Sequence, residues 1–355
     1  MDLNRKRILI VKPSSLGDVV HTLPLAHAIK RCFPSCFIGW VVQKAFAPIL
    51  ENDPAIDEIV PIFIPSTSDP QAPRGAFIWA TRETIRVMRS LRKRFRVAPY
   101  DVILDLHASF RSGLIGRSNP GGLRIGFAAA KELNTWFQHR HIAPGKDKIH
   151  AVDENLAFGD ELGCPAVAED FRIHPGQAAR DRVVRFLKDK GIDDPSRLVY
   201  ANPAARWETK FWTVEAWAEL ADLLIEQAGA TVIFCGSPAD VPHIQQITGR
   251  MRRAPVVSAG ELNLAEAVAL GERCDVYVGV DSGPMHFAAL AGTKVVALFG
   301  PTDPARVGPY GEGHTVIRRT DLDCLGCRKR ACGNRKCLEG ITARTVFEAV
   351  TPLLG

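Results

Sequence analysis

No run of about eighteen apolar residues occurs anywhere in the 355 residues, so the sequence offers no membrane-spanning helix. The apolar run nearest the N-terminus, Ile8 to Val11, has the length of a strand and falls short of the apolar region of a secretory signal. A basic tail, an RNA-binding signature and a repeat of solenoid period are also missing. The net charge of +6 is mild; it suits anionic or phosphorylated partners and leaves no expectation of nucleic acid. No GxGxxG or Walker loop follows the first strand, which removes the usual grounds for a nicotinamide or P-loop enzyme. Together these absences predict a cytoplasmic chain, where disulfides are uncommon. The nine cysteines then need another explanation. Cys32, Cys36, Cys164, Cys235 and Cys274 stand among apolar neighbours and read as small core residues.

What is present is an ordinary globular composition, 46% hydrophobic and 24% charged, with length enough for two cores. Short β-branched runs alternate with longer amphipathic stretches, the pattern of βαβ units and parallel sheets. In the first half, strands are expected at 7–12, 37–42, 57–62, 101–106 and 123–127, with helices at 18–32 and 81–95 and an exposed loop at Pro65–Gly75. The rhythm restarts with strands at 198–201, 231–235, 275–280 and 294–299, and helices at 214–227, 264–273 and 284–291. The pattern breaks near residues 165–180. We therefore expect an α/β protein of two Rossmann-like domains, residues 1–170 and 171–340, followed by a terminal helix in 341–355. Ligands of such sheets bind outside the carboxyl ends of the strands, so the loops there and a cleft between the domains are where chemistry is expected.

Three loops stand out. Lys12-Pro13-Ser14-Ser15-Leu16-Gly17-Asp18 joins the first strand to the first helix and puts a carboxylate at a helix start. Asp18 can serve as the helix N-cap, or as a base that deprotonates a hydroxyl. The second loop runs from Asn202-Pro203-Ala204-Ala205 to Lys210-Phe211-Trp212, and its lysine can neutralise a diphosphate leaving group or merely be solvated. The third, Asp281-Ser282-Gly283-Pro284-Met285-His286, opens a helix whose N–H groups and dipole suit a phosphate. Asp281 would repel that phosphate and is better placed to accept hydrogen bonds from sugar hydroxyls. His286, one turn along, either reaches the phosphate or packs in the core.

At these residues the chain resembles glycosyltransferase family 9, the ADP-heptose:lipopolysaccharide heptosyltransferases, and within it the heptosyltransferase II type. The Ser-x-Leu-Gly-Asp-Val loop, the Lys-x-Trp element, Asp-Ser-Gly-Pro-Met-His-x-Ala-Ala and Leu298-Phe299-Gly300-Pro301-Thr302 match in order over nearly the whole chain. The resemblance implies a GT-B fold and metal-independent, inverting transfer from ADP-heptose to a lipid-linked lipopolysaccharide core acceptor, a heptose or Kdo hydroxyl. No cofactor is implied for catalysis. It makes Asp18 the base and Lys210 the lysine at the donor phosphates. Asn202, Ser237, Asp281, Ser282, Gly283 and His286 become donor-binding, and Ser15, Gly17, His107 and Arg111 acceptor-side. The chain departs from the family in having Ala204 where a glycine is frequent, and Thr213 where proline follows Lys-x-Trp; the latter is expected to vary only the helix start. The rival readings are the same fold with another nucleotide sugar or a protein acceptor, and a non-catalytic nucleotide-sugar binder.

Two features lie outside these motifs. Cys324, Cys327, Cys332 and Cys337 crowd one loop among arginines and lysines, and are expected to hold a structural zinc or iron or to stay as free thiols. Residues 82–94 space apolar side chains helically within dense positive charge. With Arg111 and Lys131 this surface is expected either to be solvated or to meet lipid phosphates in peripheral contact with the inner membrane.

Overall fold

The computed structural model describes residues 1–65, 75–130, 132–143, 150–192 and 197–355. Residues 66–74 of the expected loop, and Lys131, lie outside them. Its chain divides into two compact units, Met1–His174 and Pro175–Gly355. The first holds β1 (Arg7–Val11), β2 (Phe37–Gln43), β3 (Glu58–Ile62), β4 (Val102–Asp105), β5 (Leu123–Phe127) and β6 (Arg140–Ile142). The second holds β7 (Leu198–Asn202), β8 (Thr231–Phe234), β9 (Val256–Val257), β10 (Val276–Val280), β11 (Lys294–Leu298) and β12 (Thr315–Ile317).

Ladder order is β3-β2-β1-β4-β5-β6 in one sheet and β12-β11-β10-β7-β8-β9 in the other, and every pairing is parallel. Counted from its own first strand, each unit therefore has the same doubly wound order, with its reversal between first and fourth strands, β1/β4 and β7/β10. A parallel sheet covered on both faces must be apolar on both. Ile8, Leu9, Ile10 and Val11 of β1 are accordingly all without exposed surface. In the second unit Trp212, Trp217 and Phe234 share a core with Val346 and Val350 of the terminal helix Ala343–Val350.

Three expectations need correction. The helix expected at 18–32 is two helices, Leu16–Val20 and Leu23–Cys32. Pro24 lies in the first turn of the second, and its missing N–H and ring end the hydrogen-bond ladder of the first. The edge strands β6, β9 and β12 were not anticipated, because two or three residues carry too little pattern to register. Cys32 and Cys164 are disulfide-bonded, with Cα atoms 6.1 Å apart, rather than packing as separate thiols. The fold brings them together across 132 residues, a proximity that spacing in sequence does not encode.

Gly39 of β2 is fixed by close approach, since a Cβ there would meet the ring and hydroxyl of Tyr100. That ring cannot easily retreat: its hydroxyl donates to Glu58 at 2.5 Å and its edge packs on Phe95 at 5.4 Å. Gly39→Ala should therefore cost about 1–3 kcal/mol of folding stability as an overpacked core does, read by urea denaturation. An unchanged midpoint and slope would show that Tyr100 yields freely.

Candidate active site

At the reversal of the first sheet, the loops after β1 and β4 are joined by a buried lysine. Lys12, 7% exposed, donates from Nζ to the Leu106 carbonyl at 2.6 Å and stands 3.5 Å from Asp18 Oδ1. Asp18 is not the helix N-cap. Ser15 occupies that position, and Asp18 folds back from the third helical residue so that Oδ2 accepts from the Ser15 N–H at 2.9 Å and hydroxyl at 2.6 Å. Its side chain is still 45% exposed, so the carboxylate is both anchored and reachable. Partial desolvation raises its pKa, but the Lys12 ammonium and the Ser15 hydrogen bonds outweigh this and hold it well below the ordinary 3.8. Gly17 is buried in the same short helix, its carbonyl accepting from the His21 N–H at 2.9 Å.

His107 follows β4 on a loop shaped by Asp105. That carboxylate is 1% exposed. It accepts from the N–H groups of His107 and Ala108, both at 3.1 Å, from Ser112 Oγ at 3.0 Å, from Asn134 Nδ2 at 2.7 Å and from Gln138 Nε2 at 3.0 Å. Ala108 meanwhile adopts a left-handed φ of 59°, a conformation unfavourable for alanine that this network of hydrogen bonds over-determines. Burial first, then the Lys12 ammonium, push the His107 pKa below its ordinary value, so the ring is neutral near pH 7; Asp18 and Asp105 act the other way. Arg111 lies in the first turn of the helix Phe110–Arg117 and pairs with no carboxylate among the described residues. Lys12, Asp18 and His107 thus form one electrostatic group, and the structure does not join Arg111 to it.

The second sheet repeats the device with other residues. Lys210 ends a 3-10 turn, Glu208–Lys210, and donates from Nζ to Asp281 Oδ2 at 2.6 Å and to the Asp281 carbonyl at 3.2 Å. Asp281, at the end of β10, also takes the Thr302 hydroxyl at 2.6 Å, so its Oδ2 is doubly engaged within the protein. Asn202, 2% exposed at the end of β7, donates to Ser282 Oγ at 2.8 Å and closes the gap between the two strands. Ser282 and Gly283 begin the helix Gly283–Leu290, leaving its first N–H groups at the carboxyl edge of the sheet. His286 is 7% exposed, within the packed side of that helix. Ser237, after β8, is tied locally to Asp240 through N–H and hydroxyl at 2.8 and 2.7 Å rather than to the Lys210–Asp281 pair. Thr213 accepts from the Ala216 N–H at 3.2 Å and caps the following helix, as the departure at this position led us to expect.

The cysteine loop braces the Lys210 turn. Thr209 Oγ1 donates to the Lys329 carbonyl at 2.9 Å, and the Trp207 ring carries Lys210 at 4.8 Å and Arg330 at 4.9 Å. Cys324, Cys327 and Cys332 are exposed, whereas Cys337 is half-buried over Gly300. The Cys337 thiol is raised above its ordinary pKa by burial first and then by the charges of Cys324, Cys327 and Cys332, so the other three sulfurs lie within electrostatic reach of it. Asp321, of the nearby Asp-Leu-Asp triplet, pairs with Arg319. Sequence reasoning missed Lys12, Asp105 and Thr302 as site residues. A lysine closing an otherwise apolar buried strand was the available signal for Lys12, because burying an ammonium demands partners.

Two doubly wound Rossmann-like units in one chain are the elements of the GT-B fold. The model of glycosyltransferase family 9 (heptosyltransferase) matches residues 88–338, and the chain belongs to that family. The lipopolysaccharide core heptosyltransferase OpsX of Haemophilus influenzae is 26% identical over 318 residues, covering 88% of this chain and 84% of that protein. A glycosyl transferase family 9 crystal structure from Veillonella parvula superposes with a TM-score of 0.83 at 24% identity, covering 99% and 98% of the two chains. The ADP-heptose lps heptosyltransferase II of E. coli gives 0.75 at 23% identity, covering 98% of each. The fold expectation therefore holds.

Replacing Lys12 by methionine leaves desolvation of Asp18 opposed only by the Ser15 hydrogen bonds and the charge of His21. The Asp18 pKa should rise, as carboxyl NMR titration of Lys12→Met against the parent would show. In the parent, the depressed pKa contributes stability above the unfolded value near 3.9 and loses it as pH falls through the folded value; Lys12→Met should shrink that contribution. Identical titrations would assign the depression to Ser15 and His21 rather than Lys12.

Proposed function

We propose that this chain transfers a heptosyl group, with inversion and without a metal, from ADP-L-glycero-D-manno-heptose to a heptose or Kdo hydroxyl of the lipid-linked lipopolysaccharide inner core. Family membership supports the reaction class, and the likeness to OpsX and to the E. coli enzyme supports donor and acceptor. The observation that carries the chemistry is Asp18: a carboxylate kept ionised by Lys12, anchored by Ser15, and still open to a ligand.

In this reading Asp18 takes the proton of the acceptor hydroxyl as its oxygen bonds to the anomeric carbon. The bond from that carbon to the diphosphate oxygen breaks, and ADP leaves with the electron pair. A carboxylate of depressed pKa is a weak base, so proton transfer comes late, once the bonding oxygen has become strongly acidic. Lys210 offsets the negative charge that grows on the diphosphate. Its bond to Asp281 presents the ammonium already oriented, and the helix start at Ser282–Gly283 adds N–H donors. His107 and Arg111 serve the acceptor, and Asn202, Ser237 and His286 the donor side. The four cysteines take no part in the chemistry.

Incubation with a panel of nucleotide sugars, with and without truncated lipopolysaccharide, tests the proposal: acceptor-dependent ADP release should occur with ADP-heptose alone. Asp18→Asn keeps the size and much of the local hydrogen bonding, and should lower kcat about 10²–10⁴-fold with folding intact. Lys210→Met should slow transfer and weaken ADP binding together. Near-normal turnover in folded Asp18→Asn would remove the base from this position.

We further propose a cytoplasmic enzyme in peripheral contact with the inner membrane. Among the described residues no helix is long and apolar enough to cross a membrane. The helix Ala76–Val97 begins with exposed Phe77, Ile78 and Trp79 beside exposed Phe63, and continues with exposed Arg82, Arg89, Arg92, Lys93 and Arg96. Apolar side chains beside a basic row suit an anionic lipid surface. Trp79→Ser and the triple change of Arg89, Arg92 and Arg94 to Gln should each reduce co-sedimentation with phosphatidylglycerol vesicles, the second most strongly at low salt. Equal sedimentation of all three proteins would make this face merely solvated.

A further inference from the structure

We infer that His27, Asp53 and His174 form a binding site for a divalent transition metal of the zinc type, separate from the reaction and independent of the function proposed above. One ligand atom from each residue lies within 4.8 Å of the other two, and this is the only such group of three among the described residues. The residues come from distant parts of the first unit: the helix Leu23–Cys32, the loop after the 3-10 helix Lys44–Ile49, and the last residue of the unit.

The hydrogen bonding of His27 points to a cation here. Its Nδ1 lies 2.7 Å from the Asp170 carbonyl, which can only accept, so Nδ1 carries a hydrogen. Its Nε2 then faces Asp53 Oδ2 at 2.8 Å. In a neutral ring two lone pairs would meet across that gap, inside a pocket where both side chains are almost wholly buried, at 1% and 0% exposure. A proton or a metal ion must lie between them. His174 favours the metal, because it brings a second imidazole to the same point, its ring edge-on to His27 at 5.8 Å.

The surroundings are those of a metal site. A ligating histidine that donates its other N–H to a backbone carbonyl has its tautomer and ring plane fixed. Asp53 Oδ1 accepts from the Ala55 N–H at 2.9 Å, which orients that carboxylate. Asp170, whose carbonyl takes that N–H, is itself held by Arg31, at 2.9 Å from Nη2 to Oδ2. Two nitrogens and one oxygen match zinc, cobalt or nickel better than magnesium or calcium, which take oxygen alone. A hollow of about 300 Å³, lined by Lys30, Arg31, Pro54, Ala55 and Arg172, adjoins the site on the His27 side. Bonds of about 2.0–2.1 Å in a tetrahedron set ligand atoms roughly 3.3 Å apart. The His27–Asp53 pair must therefore open by about half an ångström, and the third ligand draw in. Bound metal would staple the segment ending at His174 onto the helix Leu23–Cys32, next to the Cys32–Cys164 bond.

The test uses the full chain, stripped with a chelator and dialysed against zinc, with metal counted by elemental analysis. Wild type should hold one more zinc than folded His27→Gln, Asp53→Asn or His174→Gln, whatever the cysteine loop retains. X-ray absorption should assign that extra ion nitrogen and oxygen neighbours at about 2.0 Å rather than sulfur at about 2.3 Å. Zinc should also raise the melting temperature of wild type, with the logarithm of its concentration once above Kd, and that of His174→Gln less. Equal zinc content in wild type and in both His174→Gln and Asp53→Asn overturns the site, leaving a proton as the only cation between His27 and Asp53. So does an extra ion bound by sulfur alone.

Discussion

A lysine held against a carboxylate at the strand-order reversal is the constraint around which each unit is organised. In a doubly wound sheet the first and fourth strands leave in opposite directions, so the loops beyond them have no neighbour to pack on and open a crevice. Lys12 crosses one such crevice to the Leu106 carbonyl and faces Asp18. Lys210 crosses the other to Asp281. Burial removes water from both ammonium groups, leaving protein oxygens as their partners and fixing each loop in one geometry. The two pairs differ in exposure. Asp18 keeps nearly half its side chain open, as the proposed base would need, while Asp281 is 6% exposed and holds its lysine.

Much of the remaining polar structure supports these two pairs. Asp105 holds five donors and thereby shapes the His107 loop beside Lys12. Thr302, from the loop after β11, supplies the second hydrogen bond to Asp281. The cysteine loop enters the same account through contacts that involve no sulfur: Lys329 receives Thr209, and Arg330 shares the Trp207 face with Lys210. Its arginines and lysines, which in sequence look like decoration around four thiols, are what ties that loop to the donor-side turn.

The two sheets, the central strands and the helices Ala76–Val97, Val214–Ala228 and Leu264–Arg273 were legible in the sequence because each rests on repeated local signals, whereas the helices Ala151–Leu162 and Gln177–Asp189 were not anticipated. The run Ile8–Val11 is apolar throughout, since a strand covered on both faces has no polar side to show. The helix Leu264–Arg273 begins at Asn263 with Glu266 in capping-box spacing. Asp18, Lys210 and Asp281 could be singled out as candidates too, because loops after strands are where α/β folds keep their ligand-binding groups. The break between Val20 and Leu23 was written in Pro24 and was passed over. The edge strands β6, β9 and β12 were beyond reach, as two or three residues form a strand only when a neighbouring edge offers its hydrogen bonds.

What the amino-acid order determined by itself was the class of fold and which residue types stand at the carboxyl ends of the strands, since hydrophobic period and turn chemistry are local. Who partners whom was decided only by the tertiary structure. Asp18, an N-cap or a base by sequence, is a lysine-paired, Ser15-anchored carboxylate in the fold. Cys32 and Cys164 are bonded rather than separate. His27, Asp53 and His174, scattered through the chain, meet at one buried point. Such meetings depend on how strands are ordered and how helices dock, over separations at which neighbouring residues carry no information about each other.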